Sequence, residues 1–146
     1  MFNGNTDLTF VWSTVETEVD KTSGLVGGAR IGQLESLLPE SRWNLTAVHN
    51  TGDYRFLARY NWVDEWIWWD IYSDPVFSET VDDMFTLDLE VSRDLGAYTL
   101  TLGAQNATDE VPDNPASTLC CGMKYPEGSP LGFNGAFYYF KVGLDF

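Results

Sequence analysis

The run Met84-Phe85-Thr86-Leu87-Asp88-Leu89-Glu90-Val91-Ser92 decides the fold. Phe85, Leu87, Leu89 and Val91 alternate with Thr86, Asp88, Glu90 and Ser92, so an extended chain here has one apolar side and one polar side. Successive side chains of a β-strand point to opposite faces, whereas a helix would scatter these residues around its axis. The stretch therefore reads as a strand. The same alternation recurs in both directions. Downstream, beyond the short turn Arg93-Asp94-Leu95-Gly96-Ala97, Tyr98, Leu100, Leu102 and Ala104 alternate with Thr99, Thr101, Gly103 and Gln105. The last run places Tyr138, Phe140, Val142, Leu144 and Phe146 on one face, and Phe137, Tyr139, Lys141, Gly143 and Asp145 on the other. Upstream, Tyr54, Phe56, Ala58, Tyr60 and Trp62 alternate with Arg55, Leu57, Arg59 and Asn61; Trp43, Leu45 and Ala47 alternate with Asn44, Thr46 and Val48; Leu8, Phe10 and Trp12 open a first run. About six strands are expected, at residues 8–19, 42–49, 54–65, 84–92, 98–106 and 136–146. They approach the ~9–11 residues that a tilted strand needs to cross a bilayer.

The connections alternate in length. Residues 50–53 and 93–97 form short turns, while 20–41, 66–82 and 107–134 form long segments. Short turns at one end and long loops at the other are the pattern of outer-membrane barrels; Greek-key sandwiches have no reason to alternate so regularly. The expected fold is all-β: an antiparallel up-and-down meander of about six strands, with residues 1–146 forming a C-terminal fragment of a larger transmembrane β-barrel. Six strands are too few to close such a barrel, whose minimum is about eight, and open edges are not tolerated in hydrocarbon. The long loops then lie outside and the C-terminus at the periplasmic edge.

This topology sorts the side chains. Phe85, Leu87, Leu89, Leu100, Leu102, Phe140, Val142 and Leu144 are expected to face lipid. Arg55, Arg59, Asp88, Glu90 and Lys141 are expected to face the lumen, together with Asp145, since a basic residue on the lipid side costs about 2–4 kcal/mol at mid-depth. Trp62, Trp66, Trp68 and Trp69, with Tyr60 and Tyr72, suit the headgroup level, where one end of the ring is apolar and the other wet. Asp64, Glu65 and Asp70 nearby argue against a buried tryptophan cluster.

Composition narrows the function. With 22 acidic and 8 basic residues the formal charge is −14, which repels phosphate backbones and speaks against nucleic-acid binding. Clustered Lys and Arg for anionic lipid are missing as well. Aromatic residues make up 15% of the chain, too many for an unfolded tail. No run of about 18 apolar residues suggests a transmembrane helix. Met1-Phe2-Asn3-Gly4-Asn5 has neither a basic start nor an apolar stretch, so it does not read as a signal peptide; for an outer-membrane protein this implies a true start further upstream.

Catalytic and metal motifs do not assemble, and no cofactor or enzymatic role is expected. His49 is the single histidine, too few for the usual metal cluster or a Ser-His-Asp set. Ser129 stands in Gly-Ser-Pro-Leu-Gly, which is not a nucleophile elbow. Cys120 and Cys121 are adjacent in a polar loop, and neighbouring cysteines rarely bridge. The segment 64–83 holds Asp64, Glu65, Asp70, Asp74, Glu79, Asp82 and Asp83 without a basic residue. It reads as a solvated acidic loop or, alternatively, as a divalent-cation site, although calcium needs convergent oxygens. Asn44-Leu45-Thr46 and Asn106-Ala107-Thr108 match the glycosylation sequon and read as chance matches.

The segment Leu100-Thr101-Leu102-Gly103-Ala104-Gln105-Asn106-Ala107-Thr108-Asp109-Glu110, continuing into Val111-Pro112-Asp113-Asn114-Pro115, resembles the penultimate strand of TonB-dependent receptors. In that family a run of the form TLxLGxxNLFDE leads into a long outer loop with "NP". Ala107-Thr108 departs from the family's Leu-Phe. The stretch from Tyr125-Pro126-Glu127-Gly128 through Gly132-Phe133-Asn134-Gly135 to Tyr139 looks like the last loop and strand of a family subgroup. Terminal Phe146 is similar to the signal read by the barrel-assembly machinery. The tight likeness covers roughly the last third of the chain; Leu38-Pro39-Glu40-Ser41-Arg42 before a descending strand agrees in architecture. The resemblance implies an outer-membrane receptor of a Gram-negative bacterium, in contact with membrane lipid, that takes up a scarce ligand such as a siderophore, cobalamin or carbohydrate. It implies coupling to the TonB complex only through a plug and an N-terminal part absent from this sequence. The ligand is not specified. The competing expectation is a soluble β-sandwich or jelly-roll carbohydrate-binding module with the tryptophans as its platform.

Overall fold

The structure, a computed structural model, describes residues 4–71, 76–114, 124–126 and 128–144. In chain order the elements are β1 (Asn5–Thr14), α1 (Gly28–Ser36), β2 (Ser41–Thr51), β3 (Tyr54–Val63), β4 (Trp66–Asp70), β5 (Phe77–Val81), β6 (Met84–Asp94), β7 (Tyr98–Gln105) and β8 (Phe137–Leu144). Six of the strands form one antiparallel sheet in the order β1-β2-β3-β6-β7-β8, and β4 and β5 form a separate hairpin. The all-β meander is thus observed as an open sheet: β1 and β8 each have one neighbour.

Two expectations about the elements need correction. The first strand starts and ends earlier than 8–19, at Asn5 and Thr14. Its alternation runs out after Trp12, and the Val15 N–H closes the ladder on the Glu40 carbonyl at 2.8 Å. The long connections are also not plain loops, since 20–41 contains α1 and 66–82 contains the β4–β5 hairpin. Terminal Phe146, with Asp145, lies outside the described residues, as do Tyr72, Asp74, Cys120 and Cys121.

Register carries the faces across the sheet, because directly opposed residues point to the same side. One row runs Leu8, Ala47, Ala58, Leu89, Ala104, Tyr138, and another runs Phe56, Val91, Leu102, Phe140. Phe85, Leu87, Leu100, Val142 and Leu144 share that face. Arg55, Arg59, Asp88, Glu90 and Lys141 all stand on the opposite face.

Both short turns lie at one end of the sheet, and the Asp94 N–H donates to the Asp53 carbonyl at 2.8 Å. Gly52 and Gly96 take φ of 54° and 85° there, the left-handed region that glycine enters without penalty. The buried core sits at the other end. Val63, Trp66, Trp68, Val81 and Met84 form it, flanked by Leu37, Phe77 and Leu131. Val63 opposes Met84 in register and continues the face of Asn61 and Thr86, so this core caps the loop end of the polar face. All three long connections contribute to it.

That core revises the aromatic belt. Trp66 and Trp68 are not at an interface, being 2% and 5% exposed. Asp70, expected to resist burial, is buried with them. Strand alternation within the hairpin explains this, for Trp66, Trp68 and Asp70 point to one side and pair with Val81, Glu79 and Phe77. Trp69 points the other way and donates its indole N–H to Ser36 Oγ at 2.9 Å. Its ring lies where a Cβ at Gly32 would stand, which accounts for a glycine inside α1 despite its helix cost of about 1 kcal/mol.

A row of stacked aromatic rings is built instead from residues of the sheet. Trp43 stacks with Tyr60 and Trp62 at 5.5 and 6.1 Å, and Tyr60 with Phe85 at 5.6 Å. Phe10 adjoins Trp43 at 6.0 Å. Trp62 also donates to Asp83 Oδ2 at 2.7 Å, a wet handle on an apolar body. At the turn end Tyr54 stacks with Phe56 at 6.1 Å, and the Arg93 guanidinium covers the Tyr54 ring at 5.1 Å. The apolar face is therefore bounded by an aromatic row at each end.

Candidate functional site

The polar face carries two hydrogen-bonded hubs. Glu90 is the first. Its Oε1 pairs with Arg55 Nη1 at 3.1 Å, and its Oε2 accepts from Tyr139 Oη at 2.8 Å and from Lys141 Nζ at 3.2 Å. Glu90, Gly103 and Tyr139 occupy one row of the register. The phenol reaches Glu90 by lying flat over Gly103, where a Cβ would collide with the ring. Of the five described charged residues that alternation assigned to the polar side, three thus meet in one network. Tyr139 is a member that alternation alone did not single out; the glycine opposite it is the signal that could have found it.

Asp88 is the second hub. Its Oδ1 accepts the Asn106 N–H at 2.9 Å and its Oδ2 accepts from Asn61 Nδ2 at 3.2 Å. Asn106 ends β7 with φ of 49°, a left-handed conformation that asparagine tolerates better than most residues. Its side chain clamps the next turn: Nδ2 donates to the Glu110 carbonyl at 2.6 Å, and Oδ1 accepts the Glu110 N–H at 3.0 Å. Asp109 then accepts the Ala136 N–H at 2.8 Å, beside Gly135, whose φ is 69°. The run 106–110 is therefore a physical clasp joining the end of β7 to the approach to β8. Arg59, the fifth residue, donates through Nε to Thr46 Oγ1 at 3.2 Å.

Between the sheet and this clasp lies a cleft of about 530 Å³. Asn61, Thr86, Asp88 and Gln105 supply the sheet side, while Asn134 comes from the segment leading into β8 and Phe137 opens that strand. A volume of this size suits a small molecule. Opposite, the apolar face holds a more open depression of about 790 Å³ above the small residues Ala47, Ala58 and Ala104.

The remaining candidates do not converge. His49 lies on the apolar face, hydrogen-bonded through Nδ1 to Thr6 at 2.7 Å. Ser129 Oγ donates to the Gly132 carbonyl at 2.9 Å within a turn. Among the described residues no group of three or more His, Cys, Asp or Glu is placed to hold a metal, and no helix is long and apolar enough to cross a membrane. Compared with protein-family models, curated proteins and solved structures, the chain gives no match.

Proposed function

We propose that this chain is a section of an outer-membrane β-barrel of the TonB-dependent receptor type, contributing its last strands to the uptake of a scarce small ligand. The observation that carries this reading is the apolar face of the meander, over which none of the described residues forms a second layer. Phe10, Trp12, Leu102 and Phe140 are each about three-fifths exposed, at 63%, 62%, 59% and 59%. Transfer of one such side chain from water is worth about 1.5–3 kcal/mol, so a face made of them is stable only against an apolar medium or partner. Its dimensions favour a bilayer. The Trp62 and Tyr54 rows lie eight residues apart along β3, or about 26 Å at ~3.3 Å per residue; at the ~35–45° tilt of barrel strands this spans about 19–22 Å of the ~25 Å apolar band of outer-membrane barrels.

The edges add to the reading. With one neighbour each, β1 and β8 leave backbone groups that hydrocarbon would not tolerate unpaired. Further strands of a larger barrel would pair them. A soluble sandwich needs a second sheet against the apolar face, whereas the hairpin and helix here pack at the loop end of the polar side.

The test is the medium the chain requires. Refolded into detergent micelles or liposomes, it is expected to partition with the apolar phase and to resist protease along its strands. A monodisperse monomer that melts cooperatively in plain buffer would overturn the proposal.

A further inference from the structure

We infer that the cleft beneath the β7–β8 clasp binds a neutral, hydroxyl-rich ligand of one or two rings, that is, a saccharide; the inference rests on the barrel reading for which face meets the ligand. The lining decides the chemistry. Asn61, Gln105 and Asn134 bring amides, Thr86 a hydroxyl, Asp88 a carboxylate and Phe137 a ring, while the Asn106 amide is committed to the Glu110 backbone. Amides and hydroxyls both donate and accept, as sugar hydroxyls do, and an aromatic face suits the C–H side of a sugar ring.

An anionic ligand fits poorly. None of the lining residues is basic, and the cations of this face hydrogen-bond outside the lining, Arg55 and Lys141 to Glu90, Arg59 to Thr46 and Arg42 to Ser13. A greasy ligand would strip water from Asp88 and from three amides without replacing their hydrogen bonds, which is costly. A bare metal ion would meet one carboxylate whose two oxygens already accept N–H donors.

The site is also built before a ligand arrives. Asn61 and the Asn106 backbone hold Asp88, yet each carboxylate oxygen keeps a further lone pair. Asp109 ties down the segment carrying Asn134 and Phe137 through the Ala136 N–H at 2.8 Å. Gln105 and Asn134 are exposed, so their amides face water that a ligand's hydroxyls can replace. Preorganisation of this kind lowers the ordering cost of binding.

The full chain in detergent micelles would be titrated with glucose, galactose, maltose and cellobiose, and with citrate as the anionic contrast, followed by calorimetry and saturation-transfer NMR. At least one sugar is expected to bind and citrate is not. Asn134→Ala and Gln105→Ala should each weaken the sugar about three- to tenfold, the loss of one neutral hydrogen bond, and Asp88→Asn about ten- to a hundredfold. Thr9→Ala, on the far strand β1, should leave affinity unchanged. Binding of none of the four sugars, indifference to all three cleft substitutions, or citrate binding that those substitutions abolish would overturn the inference. The two readings fail separately. A chain that enters liposomes but ignores sugars loses only the cleft assignment, and a soluble monomer whose sugar binding follows the expected pattern loses only the barrel.

Discussion

The molecule holds two collections of large apolar residues that meet opposite fates. Trp66, Trp68, Val63, Val81 and Met84 are sealed in a core, Trp66 to 2% exposure. Phe10, Leu102, Phe140 and Leu144 stand uncovered on the sheet. Hydrophobicity does not separate the two groups; order along the chain does. The buried group depends on Trp66-Ile67-Trp68-Trp69, a contiguous run that folds back as a hairpin under its own loops. The exposed group is spread one residue in two over six strands, with none of the described elements laid across it. Contiguous apolar residues here fold into a small buried core, and alternating ones leave one face of the sheet exposed.

The comparison can be broken first at its buried side. Trp66→Ala should cost about 3–5 kcal/mol through lost transfer energy and a residual cavity, read as denaturant unfolding of the loop end by fluorescence in water and in micelles alike. The exposed side should respond to the medium instead. Leu102→Arg is expected to destabilise the liposome-inserted chain by about 2–4 kcal/mol while making the chain more soluble in buffer; an equal penalty in both media would show that the face is buried against protein. On the polar side, Gly103→Ala should cost about 1–3 kcal/mol by forcing the Tyr139 ring from its seat, with Gly103→Ala/Tyr139→Ala recovering part of the loss in a double-mutant cycle. The smallest effect belongs to Glu90→Gln. Its partners Arg55 and Lys141 are 42% and 61% exposed in their side chains, and screened pairs of that kind contribute about 0–1 kcal/mol, so chemical denaturation should barely move.

Most of the sheet was legible because period two survives single-residue noise. Phe85 to Val91 and Tyr98 to Ala104 announce their faces directly, and the short turns around Gly52 and Gly96 link the right strands. Loop structure was far less legible. Trp66 to Asp70 has no polar–apolar alternation, since Ile67 and Trp69 are as apolar as the buried Trp66 and Trp68, and the run reads equally as an interfacial belt. Gly28–Ser36 has no acidic first turn and no side-chain cap, so its helix depends on packing against Trp69 rather than on local signals. Of the polar sites, alternation located Arg55, Asp88, Glu90 and Lys141 on a common side. Their partners Tyr139, Asn61 and Asn106 emerged only with the register, because cross-strand neighbours are set by strand pairing.

Gly103 carries one further consequence. Alternation forbids a one-residue slip of β8 along β7, since every side chain would change sides, but it permits a slip of two. Such a slip would set Tyr139 opposite Thr101 or Gln105, both with a Cβ in the space its ring needs. The missing side chain at 103 thus works as a notch that admits the ring at a single step of the ladder, and the alignment of the final strand is chosen by an absence.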